Sequence, residues 1–519
     1  MASPPDSAID DRALAIAQHA LVRDSAWSSV CGALFGGVLL AGYAIQAGAG
    51  PLAVGVLAAI PYIAQALQLP ATAIVERFGR RKRLAVPLLT GARLIILALV
   101  LLPLRPTNAA TIPLLVLGKF ALCALSAVAA CALNSWMHQL LSGRPLGSFF
   151  ARRLVAGTVL GCLFTLVAGW LLEHPPHGRP ELAYAIAFAG SGLAGLASCW
   201  YIGRCPEPPM TRSGLMISVR DKLAAPFRDR NFRCLLVMLG AWSFASNFAA
   251  PFLTIYLIQQ LGFGMGTVTM LWVVNQIANA LTLYAWGRVS DRLSNKAILS
   301  VAFPVFFICT AGLVFARAGE ALGLQLTLLV LFHVVMGVAG GGIGLATGNL
   351  GIKLAPPGEG TSYLAAVGLV SSAAGGLAPL IGGATGEWLQ SSQFSLVLRW
   401  VSTTTTHEVS VLRFAHYEFL FAIAALLGLY VMHALSRLHE GEQVSERRVV
   451  QELWLEAQRS VDQLSSVGGL LSSVFSFEQL SERRLWFRRR RELTASSDDG
   501  PGDDDAAPPL QSPAASAPM

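Results

Sequence analysis

Charged residues are scarce in this chain. Only 13% of its 519 residues are Asp, Glu, Lys or Arg, whereas 54% are hydrophobic, and the mean hydropathy is +0.57. A soluble protein of this size needs far more polar surface. The composition therefore predicts a polytopic integral membrane protein, with little room for a separate soluble domain.

Motifs for catalysis and for cofactor binding are also missing. The sequence has no GxxxxGK[ST] phosphate-binding loop, no CxxC pair and no nucleophile–base arrangement, and its eight cysteines lie in or beside apolar segments without histidines at metal spacing. We therefore predict no enzymatic activity, no ATP-driven transport, no cofactor and no metal site. The polar segment 1–24 has no signal-peptide core, so the first apolar run is expected to remain as a membrane span.

The apolar residues form twelve runs, each long enough to cross a bilayer. A hydrocarbon core about 30 Å thick needs roughly 20 apolar residues per helix. The predicted spans are residues 27–47, 52–75, 84–104, 112–137, 154–172, 181–203, 235–258, 266–287, 297–315, 323–350, 362–386 and 414–435. The predicted fold class is accordingly an all-α membrane protein with 12 transmembrane helices.

One half of the chain repeats the other. Glu76-Arg77 and Asp291-Arg292 stand 215 positions apart in loops between apolar runs, and Trp27 and Trp242 share the same offset. Transporter folds are built from such repeats, with the substrate site between the halves. The predicted organisation is an N-terminal segment 1–24, a six-helix half 25–203, a connector 204–232, a second six-helix half 233–435, a tail 436–493 and a disordered acidic end 494–519.

The basic residues predict the orientation in the membrane. The loops on one side carry nineteen Lys and Arg residues, whereas the opposite loops carry five. The positive-inside rule then places both termini in the cytoplasm. Because these cations lie in short loops, they do not indicate a nucleic-acid partner, and the Ala-, Gly- and Arg-rich composition favours a bacterial inner membrane.

Four segments outside the spans have patterns of their own. Residues 217–223 of the connector and the stretch from Val449 to Val461 in the tail are typical of amphipathic helices, and Arg488–Arg491 beside two aromatics predicts contact with anionic lipid. Alternation over residues 395–414 predicts either a small hairpin over the external mouth or a plain loop.

The loop between spans 2 and 3 carries a family motif. Glu76, Arg77, Gly79, Arg80 and Arg81 fit most of Gly-x-x-x-Asp-Arg-x-Gly-Arg-Arg/Lys, and with the twelve spans and the doubled halves the chain resembles the major facilitator superfamily. The resemblance implies a transporter fold whose loop charges latch one side closed, or else charges that only set topology. The implied latch residues are Glu76, Arg77, Gly79, Arg80, Arg152, Gly287, Asp291 and Arg292, with Arg152 as a partner for Glu76.

Polar residues inside the spans are candidates for a substrate path, since they are costly in a bilayer. Interhelical hydrogen bonding is the alternative role for each of them. The candidates are Tyr43, Gln46, Gln65, Lys119, Trp242, Asn247, Asn275, Asn279 and His333.

Lys119 and His333 are near-equivalent positions of the two halves, and no Asp or Glu falls in the middle of any span. A cation without acids favours an anionic solute, unless Lys119 reaches outward to the headgroups. His333 is suited to proton coupling, unless it bonds a backbone carbonyl. The sequence thus predicts a secondary transporter of a small organic solute acting by alternating access. The alternative is a transport-inactive receptor or assembly factor that acts through its tail.

Overall fold

The computed structural model describes residues 11–141, 147–208, 219–316, 321–356, 359–401, 406–440, 449–453 and 455. These belong to one compact unit, Met1–Leu453, except for Leu455, which falls in a second unit, Trp454–Met519. The predicted lipid-binding run Arg488–Arg491 and the acidic end 494–519 lie outside the described residues.

Sixteen α-helices and one β-hairpin make up the described part of the chain. The helices of the first half and the connector are α1 Asp11–Leu34, α2 Gly37–Gln46, α3 Pro51–Gln65, α4 Gln68–Phe78, α5 Arg81–Leu99, α6 Leu101–Leu104, α7 Thr111–Leu140, α8 Gly147–Glu173, α9 Pro180–Gly203 and α10 Val219–Arg228. The later elements are α11 Arg230–Ile255, α12 Met265–Arg292, α13 Asn295–Gly312, α14 Leu322–Lys353, α15 Gly360–Trp388, β1 Gln393–Val401, β2 Thr406–Ala415 and α16 Glu418–Ser436.

The predicted all-α membrane fold is confirmed. Eleven helical segments of the described chain are long and apolar enough to cross a membrane, and α3 with α4, bent by 49°, forms a twelfth. The stretch with alternating residues is a hairpin and not a plain loop, because β1 and β2 pair antiparallel. In the connector, the helix α10 covers residues 219–223 of the predicted segment and extends to Arg228, while residues 217 and 218 lie outside the described part of the chain.

The first span begins well before residue 27. Helix α1 starts at Asp11, and Leu14, Ala17 and Leu21 are buried against α7 and α9. Asp24 interrupts the apolar pattern, yet it is buried because Ser198 donates a hydrogen bond of 2.6 Å to its carboxylate and Arg153 lies 3.8 Å away. Because of this buried polar contact, the hydropathy pattern placed the start of the first span too late in the sequence.

The two halves repeat the same packing. In the first half α1 packs on α8 and α9, while α5 packs on α7 and α9; in the second half α11 packs on α15 and α16, while α13 packs on α14 and α16. Between the halves, α3 contacts α15 and α8 contacts α12. A surface between two such halves is where a central site is expected.

A carboxylate binds the N-terminus of the third membrane span in each half, which is α5 in the first half and α13 in the second. Glu207 accepts from the backbone N–H of Lys82 at 3.2 Å, and Glu440 accepts from that of Lys296 at 2.6 Å. The Lys82 and Lys296 side chains donate to the carbonyls of Cys205 and Leu438, at 3.0 and 2.7 Å. A negative group is favourable at these helix N-termini. Lys82 and Lys296 are 214 positions apart, whereas the repeat offset read from the sequence is 215. The loop before Lys296 is therefore one residue shorter than its counterpart before Lys82.

The second of these contacts is the more elaborate. The Glu440 side chain is 1% exposed and also accepts hydrogen bonds from Asn295 and Lys353, at 2.9 and 3.0 Å. Burial alone raises the pKa of Glu440, but the bonds from Lys296, Asn295 and Lys353 outweigh it and lower the pKa from its ordinary value of 4.5.

We expect Glu440→Gln to destabilise the protein by about 1–3 kcal/mol, because an amide NH₂ would face donors that now meet a carboxylate. Thermal unfolding of the detergent-solubilised protein measures this. Glu207→Gln is the matched control, and a smaller loss is expected there because Glu207 is only partly buried. Since its folded pKa is lowered, the Glu440 contribution is full above pH 4.5 and is lost as the pH falls below it. Equal losses for both variants would contradict this account.

Candidate functional site

A cavity of about 650 Å³ lies between the halves, near the middle of the spans. Its walls come from α2, α3, α7, α11, α12, α13 and α14, and most of its lining is apolar. The polar or ionisable side chains of the lining are Tyr62, Gln65, Lys119, Asn247, Thr254, Trp272, Asn275, Asn279 and His333. This is the mixture of apolar walls and few polar groups that binds small molecules.

The cavity is closed toward one end of the bundle, which we call the distal face: the end that carries Pro51 and Trp388. Three hydrogen bonds join α3 to the second half there or near the middle. Leu52 N–H donates to Glu387 at 3.3 Å, Tyr62 donates to Asn247 at 2.7 Å, and Ser372 donates to Gln65 at 2.7 Å.

Glycines bring the backbones together at this seal. A Cβ added at Gly55 would lie 2.2 Å from the carbonyl oxygen of Pro379, and one at Gly383 would lie 2.9 Å from Leu52 Cα. On the other side of the cavity, a Cβ at Gly169 of α8 would overlap Thr269 of α12. Small residues let membrane helices approach this closely. The distal face is therefore shut on both sides of the cavity.

Six of the nine predicted path residues line the cavity. They are Gln65, Lys119, Asn247, Asn275, Asn279 and His333. The sequence missed Tyr62, Thr254, Trp272 and Met336, all of which also line it. A helical-face argument would have found two of them, because Tyr62 is three residues before Gln65 and Trp272 is three before Asn275.

The other three predicted path residues do not line the cavity. Tyr43 is buried within the first half, with its ring 5.4 Å from that of Tyr184. Gln46 is exposed at the distal face, where its amide donates to Glu181 at 3.5 Å. Trp242 packs among the rings of α13, including that of Phe303 at 5.1 Å. Helix rotation, which hydropathy does not fix, directs these side chains elsewhere.

The two ionisable groups of the cavity have different surroundings. Lys119 is partly buried, with its ammonium 5.5 Å from the centroid of the Phe35 ring, and the described residues of the lining include no Asp or Glu. His333 is buried, and its Nδ1 lies 2.7 Å from the carbonyl of Leu329, one turn earlier. With Nδ1–H donating to that carbonyl, Nε2 is the nitrogen that accepts a proton.

The predicted latch residues lie at the opposite end, the basic face: the end that carries Glu76–Arg83 and Arg288–Lys296. Glu76, Arg77, Arg80, Arg152, Asp291 and Arg292 are exposed there, and Gly287 is half-buried. Gly79 ends α4 with φ of +63°, a conformation that explains a glycine at this position. No hydrogen bond or ion pair of Glu76 with another described residue is present, so its predicted pairing with Arg152 is not made in this conformation.

Two loop arginines have partners that the sequence did not indicate. Arg292 lies 3.3 Å from Glu452 in the tail, and Arg81 donates to the backbone carbonyl of Ser135 at 2.9 Å. The second loop is thus tied to a described part of the tail, whereas the first is tied to α7 of its own half.

A family model for the Major Facilitator Superfamily matches residues 26–379. The chain belongs to this superfamily. Among curated relatives, an "MFS-type transporter" of Aspergillus terreus (strain NIH 2624 / FGSC A1156) is 34% identical over 100 residues. That match covers 19% of this chain and only 17% of the length of the relative.

Solved structures of superfamily members share the fold. A point variant of the nucleoside transporter NupG aligns with a TM-score of 0.59 at 14% identity, over 82% of this chain and all of the other. A bacterial homologue of the lysosomal transporter Spinster, inward-facing and unoccupied, aligns with a TM-score of 0.54 at 12% identity, over 87% and 98%. A bacterial homologue of the iron transporter ferroportin, also inward-facing, gives 0.57 at 13%, over 82% and 97%. The chain is therefore an integral membrane protein with the superfamily fold.

We expect Gly55→Ala or Gly383→Ala to open the distal face, because either methyl group would overlap the backbone of the facing helix. An overlap costing about 1–3 kcal/mol shifts a two-state equilibrium by roughly 5- to 150-fold. Spin labels at positions 46 and 390, exposed on opposite halves, would report a second, longer distance in pulsed EPR.

Gly368→Ala is the matched control for this experiment. It lies on α15 like Gly383, but a Cβ there meets no atom within 4 Å. The control should keep the distance distribution of the parent protein. An unchanged distribution in the Gly55 and Gly383 variants would show that the seal tolerates the added methyl group.

Proposed function

We propose that this superfamily member is a secondary transporter that moves a small organic anion by alternating access. The observation that carries the proposal is Lys119 on a cavity whose lining, over the part of the chain that the structure describes, has no carboxylate. A cation in a low-dielectric site with no acidic partner gains most from an anionic ligand. A volume of about 650 Å³ accommodates a metabolite-sized solute.

The proposed orientation follows from the loop charges. With the basic face in the cytoplasm of a bacterial inner membrane, both termini are cytoplasmic and the sealed distal face is external. The conformation is then inward-facing. The exposed Glu76 and Asp291 fit this state, because latch contacts at the cytoplasmic side form only when the halves close there.

We expect Lys119→Gln to reduce transport strongly, while Lys119→Arg, which keeps the charge, retains more of it. Loss of one partner of a desolvated charge pair costs about 2 kcal/mol or more, at least tenfold in affinity. Uptake by proteoliposomes from a mixed panel of anionic, neutral and cationic metabolites, followed by mass spectrometry, measures this. Selective uptake of neutral or cationic solutes, unaffected by Lys119→Gln, would refute the anionic substrate.

The proposed coupling group is His333. It is the titratable side chain of the cavity lining whose ordinary pKa lies nearest neutrality, and its Nε2 is left to exchange a proton. We expect an imposed proton gradient to drive flux in the parent protein and not in His333→Ala. Flux that ignores the gradient in both proteins would indicate a uniporter or another coupling ion.

The same vesicles test the rival function, a transport-inactive receptor or assembly factor. A parent protein that is folded and monodisperse, yet moves no solute of the panel in either direction, would favour that reading. Deletion of residues 456–519 without loss of transport would argue against a role of that segment in the transport cycle.

A further inference from the structure

The hairpin between α15 and α16 has an unpartnered apolar side. The register pairs Phe394 with Phe414, and Leu396 follows Phe394 on the same side of β1, while Ser395, Val397 and Arg399 belong to the other side. Phe394 and Leu396 are 50% and 49% exposed. Side chains this apolar are seldom left in water in a row unless another apolar phase covers them.

The base of the hairpin is held firmly, so its orientation is fixed by the fold. Glu418 is buried, accepts from Ala415 N–H at 2.9 Å and accepts from Gln260 at 3.1 Å. Gln260 also donates to the Ala415 carbonyl at 3.3 Å, and His416 bonds the carbonyl of Gln390. These contacts tie the second strand to the ends of three membrane-spanning segments.

The apolar side continues into the lipid-facing surface of α16. The Phe394 ring lies 6.1 Å from that of Phe414, which lies 5.9 Å from that of Phe419 in the first turn of α16. Phe419, Leu426 and Tyr430 are seven and four residues apart, so they follow one stripe of the helix. Leu426 and Tyr430 are exposed on that stripe, where an integral membrane protein meets lipid.

We infer that the hairpin is a membrane-surface anchor: its apolar side, with Phe394 and Leu396, lies in the interfacial region of the distal leaflet. The lipid that surrounds α16 is the occupant, because the aromatic row leads from one apolar surface to the other without a break. The side of β1 that carries Ser395 and Val397 then faces headgroups or water. The anchor would fix the distal ends of α15 and α16 relative to the bilayer.

The test compares spin labels on the two sides of β1 in the full-length protein reconstituted into phosphatidylcholine–phosphatidylglycerol vesicles. Leu396→Cys and Ser395→Cys are labelled separately in a background from which reactive native cysteines are removed. Power saturation with oxygen and with a water-soluble nickel chelate gives the depth of each label. We expect position 396 to favour oxygen and the matched control 395 to favour nickel.

Two results would overturn the inference. If both labels favour nickel, the apolar side lies in water; if position 396 is protected from both reagents, a protein surface covers it, either a second copy or another partner. A dilution series of protein in lipid separates those two covers. A Phe394→Ser variant, checked for monodisperse elution, should shift the label at 396 toward nickel, and an unchanged depth would also contradict the anchor.

Discussion

The structure depends on how closely two helix backbones approach where the halves meet at the distal face. Gly55 against Pro379 and Gly383 against Leu52 leave no room for a side chain. In lipid the halves gain nothing from excluding apolar surface from water, so van der Waals contact and a few hydrogen bonds must hold them together. A contact built this way is lost as a unit when the helices separate, which suits the opening of this surface in the proposed alternating-access cycle.

The half-to-half surface contrasts with the contacts inside each half. The first half is stabilised by buried polar groups such as Asp24 with Ser198. In both halves a carboxylate, Glu207 or Glu440, also binds the N-terminus of the third membrane span. Charged hydrogen bonds of this kind are strong where water is excluded. Each half is therefore rigid, whereas the contact between the halves at the distal face depends mainly on close packing of the helix backbones. Rigid halves and a separable seal are what rocking motion requires.

The membrane spans could be predicted because a bilayer requires apolar runs of a minimum length. The two halves could be predicted because the same residues recur at one offset along the chain. The start of α1 could not, since Asp24 becomes acceptable inside the fold only through Ser198 and Arg153, which are distant in sequence. Some polar residues predicted for a substrate path, such as Asn279, do line the cavity. Trp242 does not line it, because its ring packs against Phe303 and the sequence does not give the rotation of its helix.

The asymmetry between the two repeats is what gives the cavity its chemistry. Positions near Lys119 and His333 correspond across the repeat, yet one carries an amine and the other an imidazole, whose ordinary pKa lies near neutrality. Lys119 has an aromatic ring as its described neighbour, whereas His333 is fixed by its own helix through Leu329. A ligand that neutralises the lysine would bring negative charge close to the histidine side of the same cavity. Such a charge favours the protonated imidazole, so solute and proton would bind together.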